Sequence, residues 1–266
     1  MLSSMLILAL IAGSGGLLAG VLAGLFGVGG GALIVPCLSL LGATLHQASS
    51  LSLVYIFFTS LSGVVTYWRQ KQIDIPLSLA VSGGAAVSGL FGVQFAMSLP
   101  ESLLAWLFVG FMIVILSSLF FKNRSQTNKP DLSKQPPTAF KKIIFSILIG
   151  LLAGLLSTVL GVGGGIAIVP MLVLLCGLEL KQATATSLAS ICLISITGTA
   201  EHMFMGELLP YLQQFGLAIF LMSLAGMFAS PWGVKLNQKW PESRIRLGFV
   251  ILCLLVIGFM LNKAIS

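Results

Sequence analysis

The chain alternates long apolar runs with glycine clusters and a few charged stretches. In its first half the runs cover roughly Ser3–Phe26, Ala48–Tyr67, Ile75–Met97 and Leu103–Phe121, each near the about 20 residues a crossing helix needs. Charge-free runs continue over Ile143–Leu178, Gln182–Ala200, Leu208–Val234 and Leu247–Asn262. Ala32–Ala43 and Ile166–Gly177 are apolar but short. Twelve helical residues reach only about 18 Å of a hydrocarbon layer about 30 Å thick. The pattern predicts an all-α polytopic membrane protein.

The pattern also repeats. Gly16-Leu17-Leu18-Ala19-Gly20 returns as Gly150-Leu151-Leu152-Ala153-Gly154, and Gly27-Val28-Gly29-Gly30-Gly31 as Gly161-Val162-Gly163-Gly164-Gly165. Each glycine run is followed five residues later by a proline, Pro36 or Pro170. Gln47-Ala48 matches Gln182-Ala183, Ser52-Leu53 matches Ser187-Leu188, Gly63 matches Gly198, and Pro100-Glu101-Ser102 returns as Pro241-Glu242-Ser243. So many matches in one order indicate an internal duplication. Residues 1–121 and 143–266 form the two membrane repeats, and 122–142, rich in Lys and carrying Pro136-Pro137, forms a basic linker.

Charge then decides the orientation. Of 266 residues 57% are apolar and 8% charged, and no Lys, Arg, Asp or Glu occurs between Met1 and Trp68, which excludes a soluble core. If the short runs turn back, eight spans place nine Lys/Arg inside and five outside. If they connect opposite sides, ten segments form two inverted five-segment repeats. With the linker cytoplasmic, thirteen of the fourteen Lys/Arg then lie inside and only Lys263 outside. The positive-inside rule selects the second arrangement, with both termini outside. It also reads the net charge of +7 as orientation, so no nucleic-acid partner is expected. Cys37, Cys176, Cys192 and Cys253 show no metal-ligand spacing, so neither a disulfide, a metal nor a cofactor is expected. A cleaved signal peptide is disfavoured because no positive region precedes the first apolar run.

Inverted repeats with short, glycine-interrupted segments at matching positions point to a secondary transporter. Four glycines in five residues cannot favour continuous helix. A helix restarting after them presents unpaired N–H groups and a positive dipole end, an anion-binding arrangement. Gly29, Gly30, Gly31, Gly163, Gly164 and Gly165 are therefore candidate substrate-lining positions. Bulk introduced at Gly30 or Gly164 is expected to abolish flux without unfolding the chain. Close helix packing is the competing role, and it suits Gly16, Gly20, Gly24, Gly150 and Gly154. The polar residues that follow, Gln47, Ser49, Ser50 and Ser52 in one copy and Gln182, Thr184, Thr186 and Ser187 in the other, could bind oxyanion oxygens; among them Gln47, Ser49, Ser50, Gln182, Thr184 and Ser187 are the site candidates. Hydroxyls of this kind also glue helices together. Glu201-His202, near the outer end of a span, are proton-coupling candidates, with an interfacial headgroup pair as the alternative. No nucleophile–base pair or acidic dyad lies within a segment, so an enzyme is not expected. A non-transporting scaffold, its glycines serving packing, is the other functional class.

The paired GVGGG-(x)4-Pro element, the Gln-Ala-(x)3-Ser stretch after it, and the Tyr67/His202 to Pro76/Pro210 region resemble the TauE/SafE sulfite exporters, over nearly the whole chain except the linker. The resemblance implies a permease of sulfur-containing anions, such as sulfite, sulfonates or sulfoacetate, in the bacterial cytoplasmic (inner) membrane. It places the site at the two glycine runs and the polar residues after them. The halves differ where Trp68-Arg69-Gln70-Lys71-Gln72-Ile73-Asp74 in one stands against Met203-Phe204-Met205-Gly206-Glu207 in the other. Proton coupling is therefore not assigned by symmetry. Expected partners are a small anionic substrate and the lipid bilayer, with a homodimer left open.

Overall fold

The computed structural model describes residues 2–100, 102–103, 106–107, 109–110, 113, 138–161, 163–206 and 208–265. Most of the expected linker, with Lys122, Arg124, Lys129, Asp131 and Lys134, lies outside them, as does most of the run expected at 103–121. Every regular element named here is an α-helix: α1 (Leu2–Phe26), α2 (Gly31–Leu40), α3 (Leu45–Arg69), α4 (Ile75–Ser98), α5 (Ala139–Leu160), α6 (Gly165–Leu175), α7 (Leu180–Phe204), α8 (Leu208–Lys239) and α9 (Glu242–Ile265). Of these, α3, α4, α5, α7 and α8 contain stretches long and apolar enough to cross a membrane.

The two short apolar runs are the helices α2 and α6. Thr44 opens α3 with a capping box, its side chain accepting from the Gln47 N–H while the Gln47 side chain accepts from the Thr44 N–H. His46 lies in the first turn of this helix.

Small residues bring the long helices together, and they do so between the halves. A Cβ at Gly20 would come 2.6 Å from the Gly226 Cα, and one at Gly16 would come 2.7 Å from the Met222 Cα, so α1 lies directly on the α8 backbone. Gly150 and Gly154 lie in the same way on Val81 and Ala85, joining α5 to α4. Without Cβ atoms the backbones approach closely, which is how apolar helices associate where lipid removes the hydrophobic drive. The order of these contacts makes α1 parallel to α8 and α5 parallel to α4.

The central pair behaves differently. Ser50, early in α3, meets His202, late in α7. A Cβ at Gly198 would sit 3.0 Å from Leu53 Cδ1, and one at Gly63 would sit 2.5 Å from Leu188 Cδ2. Thus α3 and α7 run antiparallel, and one glycine-on-leucine contact is made twice by matching residues. The Tyr55 hydroxyl donates to the Gly16 carbonyl and that of Tyr67 to the Gly24 carbonyl, so α3 runs parallel to α1. Ser190 of α7 donates to Ser78 of α4, and Glu201 abuts Gly89 further along, so these two are also parallel. Two groups result: α1, α3 and α8 run one way, and α4, α5 and α7 the other. Each group draws helices from both halves.

The basic side chains follow from these directions. Gln72, just beyond α3, and Gln238, near the end of α8, exchange side-chain hydrogen bonds of 3.1 and 2.6 Å. Lys181, opening α7, donates to the Gln238 carbonyl at 2.8 Å. Arg69, Lys71, Lys181, Lys235 and Lys239 therefore collect at one end of the bundle, where α9 begins with Arg244 and Arg246. Lys142 joins them through its carbonyl, 3.7 Å from the Cys176 Sγ just before α7. Lys263, in the last turn of α9, is at the far end of that helix.

Candidate functional site

The glycine runs break the helices. Gly30 and Gly164 are the N-caps of α2 and α6, with φ of 83° and 69°, in the left-handed region where an L side chain is strained. No side chain caps either helix, so their first N–H groups are left to the backbone geometry alone. Since α1 and α3 are parallel, α2 must return the chain between them, and it starts near mid-bundle, where the Gly29 carbonyl accepts from Thr59.

The two loops meet there. A Cβ at Gly29 would sit 2.9 Å from both Ile56 Cγ2 and Ile191 Cγ2; one at Gly163 would sit 3.1 Å from Ile191 Cγ2 and 3.2 Å from Ile56 Cδ1. Gly165, opening α6, abuts the other loop, where its Cβ would come 2.6 Å from the Val28 Cα. Both isoleucines are fully buried. The centre of the molecule is thus a pair of helix N-termini held against a matched isoleucine pair, which the sequence reading did not single out. The signal was available, because Ile56 and Ile191 stand at the same spacing as Ser52 and Ser187.

Each loop is tied to a helix of the other half. The Ser52 hydroxyl donates to the Gly161 carbonyl at 2.5 Å, and the Ser187 hydroxyl donates to the Gly27 carbonyl at 2.8 Å. These carbonyls lie where α5 and α1 end, so the serines satisfy acceptors that a broken helix leaves open. Alongside, Gly27 lies on Thr184 and Gly161 on Ser49.

The remaining candidates fall into three places. Gly29, Gly30, Gly31, Gly163, Gly164, Gly165 and Ser187 are at the centre. Ser49 and Thr184 flank it, with hydroxyls returned to their own helices at the His46 and Leu180 carbonyls. Gln47 and Gln182 are at opposite ends, because α3 and α7 are antiparallel; Gln47 reaches Gln214 of α8 at 3.5 Å. Ser50 joins His202, its Oγ 3.1 Å from Nδ1, at the end remote from the basic cluster, and Glu201 is buried beside them against Gly89. The structure therefore does not gather all the polar candidates around one ligand.

The expectation for Gly30 and Gly164 also changes. A Cβ at Gly30 would meet the Ala19 carbonyl oxygen at 2.8 Å and Tyr55 Cε1 at 2.9 Å, and one at Gly164 would meet the Ala153 oxygen at 2.8 Å. Bulk at either position acts on folding, so it cannot isolate an effect on flux. Among the described residues no three His, Cys, Asp or Glu side chains gather as a metal site.

The family model described as sulfite exporter TauE/SafE matches residues 12–260. The probable membrane transporter protein YunE of Bacillus subtilis (strain 168) is 30% identical over 91% of this chain and 93% of its own length. A probable membrane transporter protein of Haemophilus influenzae is 27% identical over 93% of this chain and 96% of its own. The probable membrane transporter protein YdhB of Bacillus subtilis is 30% identical over 68% of this chain and 73% of its own. No solved structure matches the chain at a significant level. Apolar helices long enough to span and a family match over nearly the whole length agree: this is a multi-pass membrane protein of the TauE/SafE sulfite exporter family.

Proposed function

We propose that the chain is a secondary transporter of small sulfur-containing anions, such as sulfite, sulfonates or sulfoacetate, working by alternating access in the bacterial cytoplasmic membrane. The observation that carries this reading is the meeting of two uncapped half-helix N-termini at Ile56 and Ile191, entering from opposite directions. Two positive dipole ends at mid-bundle favour an anion without any fixed cation, and bare glycine backbone permits its close approach. Family membership and the relatives' names support the transporter class.

The repeats are inverted in this reading. Matching helices α1 and α5, α3 and α7, and α8 and α4 run in opposite directions, and the contacts of Ser52 with Gly161 and Ser187 with Gly27 are one interaction used twice. The end that collects Arg69, Lys71, Lys181, Lys235 and Lys239 is cytoplasmic, together with the linker, and both termini are outside. The moving bodies in this reading are the two interleaved groups. α1, α3 and α8 rock against α4, α5 and α7, so that the loops open to one side while contacts on the other side close.

Binding tests the substrate class. Sulfite or a sulfonate is expected to raise the melting temperature of the detergent-purified protein, by the equivalent of about 2.7 kcal/mol at a hundredfold excess over its Kd. A carboxylate of similar size is expected to do far less. Equal stabilisation by the carboxylate would remove the preference for sulfur anions, and no stabilisation by any anion would remove the site.

A further inference from the structure

Glu201 takes no part in the central site, yet its surroundings are specific. It lies in the last turn of α7 and is only 8% exposed. Its carboxylate rests on the α4 backbone at Gly89, where a Cβ would come 2.8 Å from both Oε1 and Oε2. Oε2 is buried without a hydrogen-bond partner. A buried, unpartnered carboxylate oxygen is costly, and an ionisable group within a span is a functional candidate. The neighbours make room for it instead of neutralising it. Gly92, one turn beyond Gly89, admits Thr158 of α5, and Gly198, one turn before Glu201, faces Leu53 and Thr158.

Among the described residues, no helix packed on α7 brings a cation to this end; Lys263 stands at the far end of α9, which packs mainly on α2 and α1. α1 and α4 carry no titratable side chain, and α2 and α6 no charged one. At this end α3 brings His46 and α8 brings Tyr211, while α7 itself brings His202, which is engaged with Ser50. Arg69 of α3, Lys141 and Lys142 of α5, Lys181 of α7, and Lys235 and Lys239 of α8 all belong to the opposite end. A metal cation would want about six oxygen ligands, which a glycine Cα does not offer. A proton needs only Oε2.

We propose that Glu201 is the binding point of the coupling proton, at the outer end of the α4–α7 seam. This rests on the transporter reading. One proton added to the carboxylate gives a neutral acid that can stay packed on Gly89. Its release leaves an anion that draws water into the seam. That loosens the last turn of α7, where His202 meets Ser50 of the other helix group and closes the outer end.

The test uses the full chain in proteoliposomes loaded for sulfite flux under a pH gradient, a Na+ gradient or neither. Wild type is expected to respond to the pH gradient alone. Glu201→Gln is expected to lose that response by at least tenfold while retaining sulfite exchange in the absence of a gradient. Glu201→Asp, which keeps the acid, is expected to retain it. A merely structural role would lower exchange and gradient response together. Should Glu201→Gln fail to fold, carbodiimide modification of wild type decides. Labelling of Glu201, read by mass spectrometry, is expected to abolish the gradient response and to fall as pH rises. A Glu201→Gln protein that keeps the pH-gradient response, labelled protein that keeps it, or wild type driven by Na+ instead would each overturn the proposal. Absence of saturable flux from folded wild type would instead overturn the transporter reading itself.

Discussion

Gly27→Ala and Gly161→Ala are each expected to leave little folded protein. Both residues sit at positive φ, 69° and 65°, where a non-glycine residue costs about 1–2 kcal/mol. The added Cβ of Gly27→Ala would come 2.5 Å from the Thr184 carbonyl oxygen and 3.0 Å from the Thr184 Cα. That of Gly161→Ala would meet the Ser49 backbone and come 2.7 Å from the Ser49 Cβ. Backbone cannot swing aside as a side-chain end can, so overpacking adds about 1–3 kcal/mol more. The sum is a large part of the about 5–15 kcal/mol that holds a typical fold. Size-exclusion profile and melting temperature in detergent measure it. Gly83→Ala is the control: it is exposed on α4, nothing lies within 4 Å of its added Cβ, and its stability is expected to change by less than about 1 kcal/mol. Normal profiles for both loop variants would mean that the crossing of the loops on α3 and α7 is not tight.

Cross-linking the two helix groups at the basic end is expected to stop flux at least tenfold, reversibly. Lys181 of α7 reaches the Gln238 carbonyl of α8, and these helices belong to opposite groups. Gln72 and Gln238 also touch, but Gln238 is on α8 and Gln72 is tied to the end of α3 by its N–H to the Tyr67 carbonyl, so this link stays within the group of α1, α3 and α8. In a background lacking Cys37, Cys176, Cys192 and Cys253, a cleavable thiol linker in Lys181→Cys/Gln238→Cys should therefore lock transport, and reductant should restore it. The same linker in Gln72→Cys/Gln238→Cys should leave flux within about twofold. Closing of one end while the other opens requires relative movement of the groups, which only the first link prevents. Equal inhibition by both links would mean that the boundary between moving bodies lies elsewhere.

The grouping of the helices was not legible in the sequence, although much else was. Apolar run lengths located α3 and α4 to within a few residues, and the glycine runs marked where α1 and α5 stop and α2 and α6 begin. Hydropathy does not name a helix's partner, however. The choice of α8 for α1 and of α4 for α5 depends on which small residues face each other. Gly20 on Gly226 and Gly154 on Ala85 become a pattern only once the helices are placed. For the same reason Gln47 and Gln182, equivalent in the repeat, read as neighbours in one site, whereas the antiparallel run of α3 and α7 sends them to opposite ends. Ser52 and Ser187 were visible as a matched pair, but a hydroxyl in an apolar helix can serve a ligand, its own helix or a neighbour. Only the carbonyls left open at Gly27 and Gly161 decide that these two serve the broken helices.

The most direct measurement is the flux of labelled sulfite into proteoliposomes containing the purified chain, beside sulfonate, a carboxylate of similar size and protein-free vesicles. Two opposed half-helix N-termini that pass a small sulfur anion from side to side predict saturable sulfite uptake, competed by sulfonate and hardly by carboxylate. Uptake no faster than in protein-free vesicles, from protein shown to be folded, would contradict transport and turn attention to a scaffold held together by its glycines.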